Sequence, residues 1–120
     1  GIRYYDVRGR EGHSDCDAMA CGWGVKPECQ LAELGGCEMR FAAMARQWLP
    51  ECDAEGRSSA AGVYLAGDGA GVMGAEAAEY RGELAAMALL SDRGVAVDVR
   101  RREHLKNRLR RSRWMIHIHL

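Results

Sequence analysis

The chain has few of the features that would place it at a membrane or outside the cell. No run of about 18 apolar residues occurs, and the first residues, GIRYYDVRGREGH, lack the apolar stretch of a secretory signal. We therefore expect no membrane span and a cytoplasmic location. With 120 residues, 48% of them hydrophobic, the chain can bury one core.

Cysteine pairs of the usual spacing are also missing. The five cysteines, at positions 16, 21, 29, 37 and 52, are odd in number and form no CxxC pair, which argues against a closed disulfide framework and a zinc site. The apolar run Cys16–Cys21 predicts a buried strand that would hold its two end thiols too far apart for a disulfide. His117 and His119 could share a metal, but no third ligand is nearby. We predict five free thiols, with Cys16 and Cys21 in the core, and no metal site.

The chain has no net charge, because 17 basic residues balance 17 acidic ones, but the two signs are segregated. Residues 93–113 hold nine Arg or Lys and only two acids. Such a run is more often a solvated helix face or a contact to an acidic partner subunit than a nucleic-acid site. Because the run has neither interleaved aromatic residues nor a recognisable nucleic-acid-recognition motif, we expect no nucleic-acid binding.

Three helices and two strands are predicted along the chain. Pro27 to Leu34 has a proline suited to a first helical turn and a Gly-Gly stop. Residues 75–90 carry Ala77, Tyr80, Leu84 and Met87 on one stripe, and 95–113 continues as a basic helix. The strands are 16–21 and 62–66. Residues 39–48 repeat apolar side chains at helical spacing but end at a proline, so their structure is left open.

The residues that suggest a binding site lie between the predicted strand 62–66 and the predicted helix 75–90. The intervening turn, GDGAGVMG, lets a ligand approach the backbone, and the free N–H groups of the helix attract phosphate. A nucleotide site is therefore predicted. Asp68, at the strand end, would repel a phosphate unless it faced a hydroxyl, so it suits a sugar or polyol beside a pyrophosphate.

A second interpretation of the same turn remains open. Gly69, Gly71 and Gly74 match the spacing of a dinucleotide-binding fingerprint, although a single match of this kind is a weak signal. If they began a Rossmann unit, an acidic residue about 20 positions later would hold the adenosine ribose. Asp98, after Val95–Val97, is the candidate, but a basic helix follows it instead of another strand.

The stretch RSSAAGVYLAGD, ending at Asp68, resembles the second FAD motif of the pyridine nucleotide-disulfide oxidoreductase superfamily. GWGVKPECQLAELGGC, RQWLPE and AGDGAGVMGAEAAEYRGELAA are similar to the flavoprotein subunits of opine oxidases and hydrogen cyanide synthase. This resemblance covers roughly residues 15–92. It implies an α/β, Rossmann-like FAD/NAD(P)-binding fold of which this chain holds an incomplete C-terminal portion.

The resemblance also implies positions for the cofactor. Asp68 would bind the ribityl chain of FAD, and the helix start would face the flavin and pyrophosphate. The implied cofactor-binding residues are Gly67, Asp68, Gly69, Gly74, Ala75, Glu76 and Ala77. Residues 1–30 would end the inserted NAD(P)-binding domain, 31–92 would close the FAD-binding domain, and 93–120 would be a basic helical tail. No catalytic acid or base can be carried over.

Three functions are consistent with the sequence. The first is part of an FAD-dependent amine or amino-acid dehydrogenase that needs a partner subunit or an N-terminal segment and is inactive by itself. In such enzymes the flavin accepts a hydride from the substrate and the protein supplies position and electrostatics. The second is an NAD(P)H-dependent flavin reductase of the same superfamily. The third is a non-catalytic fragment or interaction module.

Overall fold

The computed structural model describes residues 1–22, 25–43 and 45–118, with side chains to residue 112. Its strands are β1 (Ile2–Tyr5), β2 (Glu11–Ser14), β3 (Met39–Ala42) and β4 (Gln47–Pro50). Its helices are α1 (Gln30–Leu34), a short 3₁₀ helix (Gly67–Ala70), α2 (Ala75–Asp92) and α3 (Val99–Ile118). Trp23 and Gly24 of a predicted turn, Met44 of the apolar repeat, the His117 side chain and His119 lie outside this description.

Two antiparallel hairpins account for the strands. β1 pairs with β2, and β3 pairs with β4 with Met39 opposite Pro50 and Ala42 opposite Gln47. The second hairpin resolves the segment whose structure the sequence left open. Phe41 and Trp48 are cross-strand neighbours whose rings pack edge to face at 5.7 Å, a contact typical of paired strands.

α2 and α3 form an antiparallel helix pair. Both were predicted from apolar spacing, but α3 begins at Val99 and not at the predicted residue 95. Ala77, Leu84, Ala85 and Ala88 are buried on α2, and Leu105 of α3 is fully buried. The small side chains of α2 allow the helices to approach closely. α2 ends in a glycine-terminated cap, because Gly94 has φ 77° and the Val95 N–H donates to the Leu90 carbonyl at 2.9 Å. In the described part of the chain, no helix has the length and apolarity to cross a bilayer.

The basic tail is used within the chain. Arg101 donates two hydrogen bonds of 2.7 Å to Glu83, so α3 lies along the acidic side of α2. Further along, Arg108 pairs with Glu76 in the first turn of α2. The charge segregation of the sequence therefore appears in the structure as complementary helix faces.

A buried carboxylate, Glu55, joins the loop before the glycine-rich turn to α3. It is 6% exposed and accepts hydrogen bonds from Arg102 Nε at 2.7 Å and Arg57 Nη1 at 2.6 Å. Lys106 Nζ lies 2.7 Å from the same carboxylate. Arg57 also binds Asp92, at the end of α2, with two bonds of 2.7 and 2.8 Å. The Glu55 cluster, defined as these five residues, fixes both helices to the loop.

The strand predicted at 16–21 is wrong, since residues 15–22 belong to no helix or strand. Cys21 is exposed and Cys16 is half-buried, so the prediction that they are core thiols is wrong as well. The run is rich in alanine and has no β-branched residue, which weakens it as a strand. Cys37 is instead the buried thiol, packed with Ala32 and Leu65.

The strand predicted at 62–66 is reduced to one bridge, in which Tyr64 pairs with Arg57. Gly62 has φ 80°, and the Val63 N–H donates to the Ala60 carbonyl at 3.1 Å, which closes a turn. The chain therefore folds back on its own preceding segment. Leu65 still reaches the core at 9% exposure, so the apolar signal was correct for burial.

We expect Glu55→Gln to lower the free energy of unfolding by about 2–4 kcal/mol, because three half-buried cations lose the buried carboxylate that they share. Hydrogen bonds from Arg102, then from Lys106 and Arg57, lower the pKa of Glu55 from 4.5 to about 2. Its contribution is therefore fully present above pH 4.5 and is lost as the pH falls towards 2. Urea unfolding followed by circular dichroism across this range would measure both effects.

The matched control is Glu51→Gln, which removes a carboxylate that is paired with Arg40 at the surface, where the two side chains are 44% and 78% exposed. Its stability should change by less than about 0.5 kcal/mol. Equal losses in the two variants would contradict the special role of Glu55.

The internal pairing of the tail strengthens the expectation that it does not bind nucleic acid. Fluorescence anisotropy with labelled duplex DNA and RNA, at about 50 and about 200 mM salt, would test this. We expect no micromolar binding. Tight binding that weakens steeply with salt would contradict the expectation.

Candidate functional site

The predicted nucleotide site lies on a glycine-rich loop, residues 66–74, between the buried Leu65 and α2. The Gly71 N–H donates to the Asp68 carbonyl at 2.8 Å and closes the 3₁₀ helix. Gly67, Gly71 and Gly74 have φ of 60°, 109° and 89°, backbone conformations that residues with a Cβ rarely adopt. Glycine is therefore required at these three positions for the chain to enter α2 along this path.

The start of α2 presents backbone donors. The first helical bond runs from the Ala78 N–H to the Gly74 carbonyl at 3.0 Å. The N–H groups of Ala75, Glu76 and Ala77 come before it and have no partner within the helix, as at every helix start. Gly74 has no side chain to cap them. These donors, with the positive end of the helix dipole, suit an anion.

The seven predicted cofactor residues occupy different environments. Asp68 is exposed on the 3₁₀ helix, and no side-chain partner for it occurs in the described ranges. Ala75 is also exposed, whereas Ala77 is 1% exposed, with its backbone included. Gly69 contacts the segment before α1, since the Cys29 thiol donates to the Gly69 carbonyl at 3.4 Å.

Glu76 is held by this chain's own groups. Its carboxylate accepts hydrogen bonds from the Tyr80 hydroxyl and from Arg108. These two bonds, the Tyr80 bond first, lower the pKa of Glu76. Arg108 also lies over the Tyr80 ring at 5.5 Å. Glu76 is thus ionised and paired in the structure.

Arg81 is a site residue that the sequence reasoning missed. Its Nη1 donates to the carbonyls of Gly71 and Gly67 at 2.5 and 3.3 Å, and its Nη2 lies 2.9 Å from Met73 Sδ. Arg81 follows Gly74 by seven residues, which is two helical turns, so their shared helix face was a readable signal.

A cavity of about 500 Å³ lies between the β3–β4 hairpin and the glycine-rich loop. Arg40, Leu49, Cys52, Met73 and Arg81 are among its lining residues. Burial raises the pKa of Cys52, and burial followed by the Glu28 charge raises the pKa of Cys29.

Asp98 has a structural role. Its carboxylate accepts the N–H groups of Arg100 and Arg101 at 2.9 and 3.0 Å, and its carbonyl accepts that of Arg102. It is therefore the N-cap of α3 and does not end a second strand. The alternative in which Asp98 holds a ribose requires it to follow a strand, and residues 95–98 form none in the structure. No group of three or more metal-ligating side chains occurs among the residues described.

Comparison with known proteins connects this chain to enzyme subunits. An opine oxidase subunit of Rhizobium meliloti is 40% identical over 95 residues, 79% of this chain and 18% of that protein. The corresponding opine oxidase subunit of Agrobacterium tumefaciens is 48% identical over 69 residues, 58% of this chain and 14% of that protein. Hydrogen cyanide synthase subunit HcnB of Pseudomonas protegens is 37% identical over 83 residues, 64% of this chain and 16% of that protein.

These matches confirm the resemblance to opine oxidase and hydrogen cyanide synthase subunits, and an opine oxidase is by its name an oxidoreductase. The chain spans less than a fifth of the length of these relatives. No protein-family model matches the chain. No solved structure matches it either.

The loop that leads into the site depends on Gly56. A Cβ at this position would lie 2.4 Å from the Leu65 carbonyl oxygen, and φ there is 85°. We expect Gly56→Ala to destabilise the fold by about 3 kcal/mol, because it adds a backbone clash to the strain of a left-handed residue. Denaturant unfolding measures this loss.

Gly62→Ala separates the two causes. Gly62 has φ 80° with no atom within 4 Å of an added Cβ, so only the conformational strain applies. This variant should lose about 1 kcal/mol. If both variants lost the same free energy of unfolding, the close approach to the Leu65 carbonyl would contribute nothing to the loss in Gly56→Ala.

Proposed function

We propose that this chain is part of an FAD-dependent oxidoreductase of the amine or amino-acid dehydrogenase type. The observation that carries the proposal is the similarity to opine oxidase subunits in a chain that also has a glycine-rich turn at a helix N-terminus. The relatives are named as subunits, which supports assembly with another polypeptide. The cytoplasmic location and the Rossmann-like class are parts of the same proposal.

The residues present fit the flavin cofactor in three respects. Gly67 and Gly74 carry no side chain of their own and an added Cβ there would meet no atom closer than 3.9 Å, so a ligand can approach the backbone. The N–H groups at the start of α2 suit a pyrophosphate. Asp68, exposed beside them, can accept a hydrogen bond from a ribityl hydroxyl. The site would thus be formed by the loop and the first turn of α2.

The acidic side chain in the first turn of α2 is compatible with this assignment. A free Glu76 carboxylate would repel a phosphate at the same helix end. Arg108 neutralises it through a charge-assisted pair. The helix N-terminus therefore keeps its preference for an anion.

When FAD is bound, its flavin would accept the hydride from the carbon of an amine or amino-acid-like substrate. In this chain Asp68 would bind the ribityl hydroxyl, and the amides of residues 75–77 would bind and orient the pyrophosphate. None of these groups is assigned as a catalytic acid or base. The contribution of the chain is to position the cofactor.

The flavin-reductase alternative, with NAD(P)H as the electron donor, has less support. The relatives are named as an oxidase and a synthase, and neither name refers to a reductase. A non-catalytic interaction module is also less well supported. Arg101 and Arg108 on the basic tail are engaged with α2 of the same chain.

Asp68→Ala should weaken FAD binding in the assembled protein that contains this chain. Loss of a hydrogen bond to a charged acceptor in a partly dry site costs about 1.5–3 kcal/mol, or roughly tenfold to a hundredfold in affinity. Titration of the flavin-free protein with FAD, followed by flavin fluorescence, measures the change.

The matched control is Asp98→Asn, which removes a carboxylate charge and preserves the N-cap of α3. Its FAD affinity should match that of the unaltered protein. If Asp98→Asn weakened nucleotide binding while Asp68→Ala did not, the assignment of this loop to FAD would be wrong.

A further inference from the structure

Arg81 connects α2 to both ends of the glycine-rich loop. Its Nη1 reaches the Gly67 carbonyl at 3.3 Å and the Gly71 carbonyl at 2.5 Å. Its Nη2 lies 2.9 Å from the Met73 sulfur. One planar guanidinium therefore contacts three positions of the loop, a geometry that a lysine ammonium cannot reproduce.

These bonds fix the orientation of two peptide planes. In a planar trans peptide the carbonyl and the N–H point in opposite directions, and no peptide in the described residues is cis. The N–H groups of Asp68 and Val72 share peptides with the Gly67 and Gly71 carbonyls. Both N–H groups therefore point away from Arg81, towards the opposite side of the loop.

The loop needs such an anchor because its glycines leave the backbone free to rotate. Gly67 and Gly71 both have positive φ, and glycine loses more conformational freedom on ordering than any other residue. Arg81 is itself half-buried and belongs to a helix held by α3. The Arg81 guanidinium is thus attached to a fixed helix, α2, and restrains the more flexible glycine-rich loop.

We infer that Arg81 is a positioning residue that sets the peptide planes of the glycine-rich loop, so that the N–H groups of Asp68 and Val72 face a bound ligand. The part that concerns the ligand rests on the proposed FAD function. The part that concerns the loop does not, because it follows from the contacts of Arg81 alone.

Hydrogen exchange of the chain without added cofactor tests the loop. In Arg81→Met, the Gly71 amide, which donates to the Asp68 carbonyl within the loop, should exchange about tenfold faster, because the charge-assisted bonds that hold the loop are lost. Arg81→Lys should restore part of the protection, since one ammonium can bind one carbonyl. Peptides from residues 83–92 of α2 report whether the fold is intact.

Arg101→Met is the matched control, because it removes a different arginine, which joins α3 to Glu83 of α2 and does not touch the loop. Its loop exchange should stay unchanged. Unchanged loop exchange in Arg81→Met, or equal acceleration in the loop and in residues 83–92, would overturn the inference, the second by showing only a general loss of stability.

Titration with FAD in the assembled protein separates this inference from the proposed function. Arg81→Met should bind FAD roughly tenfold more weakly, with Arg81→Lys intermediate, if the amides face the cofactor. An unaltered protein that binds no FAD would overturn the proposed function and the ligand part of the inference. Unchanged FAD affinity in Arg81→Met would overturn the ligand part alone.

Discussion

The carboxylate of Glu55 is the contact on which the arrangement of the two long helices depends. A buried charge is expensive unless several partners satisfy it, and Arg57, Arg102 and Lys106 do so here. Arg57 then extends the network to Asp92, which also accepts a hydrogen bond from the Tyr64 hydroxyl at 2.7 Å. These bonds, the Arg57 bond first, lower the pKa of Asp92 to about 2. This network of ion pairs thereby connects the end of α2, the segment before the glycine-rich loop, and α3.

The helices were predictable from the sequence because their signals are local. Apolar spacing located α2 and α3, and the glycine and aspartate between them, Gly94 and Asp98, act as stop and start. Strands were predicted poorly because an apolar run does not identify its partner. The segment 62–66 pairs with Arg57 through a tight turn, and the segment 16–21 belongs to no strand. The hairpin β1–β2 was missed because β2, Glu11–Ser14, has no apolar run that would indicate a strand.

The candidate site shows the same division between local and long-range information. The glycine positions and Asp68 could be read from the sequence, since positive φ and a helix start are local properties. Arg81 donates to backbone carbonyls across the turn, and Arg108 reaches α2 from the opposite helix. The Arg108 contact depends on which face of α3 meets α2, and no local signal in the sequence gives that. Sequence reasoning therefore located the loop and missed the side chains that hold it.

The separation of acidic and basic residues along the sequence has a specific effect at the first turn of α2. An acidic residue there stabilises the helix through its dipole, but by itself it would compete with any anionic ligand for the same N–H groups. Arg108 is placed by α3 to pair with Glu76 and to cover the Tyr80 ring, and these contacts raise the pKa of Arg108 further. The stabilising charge is then retained without a net negative potential at the helix end. In the proposed function the basic tail would therefore influence which ligand the glycine-rich loop accepts, although α3 lies outside that loop.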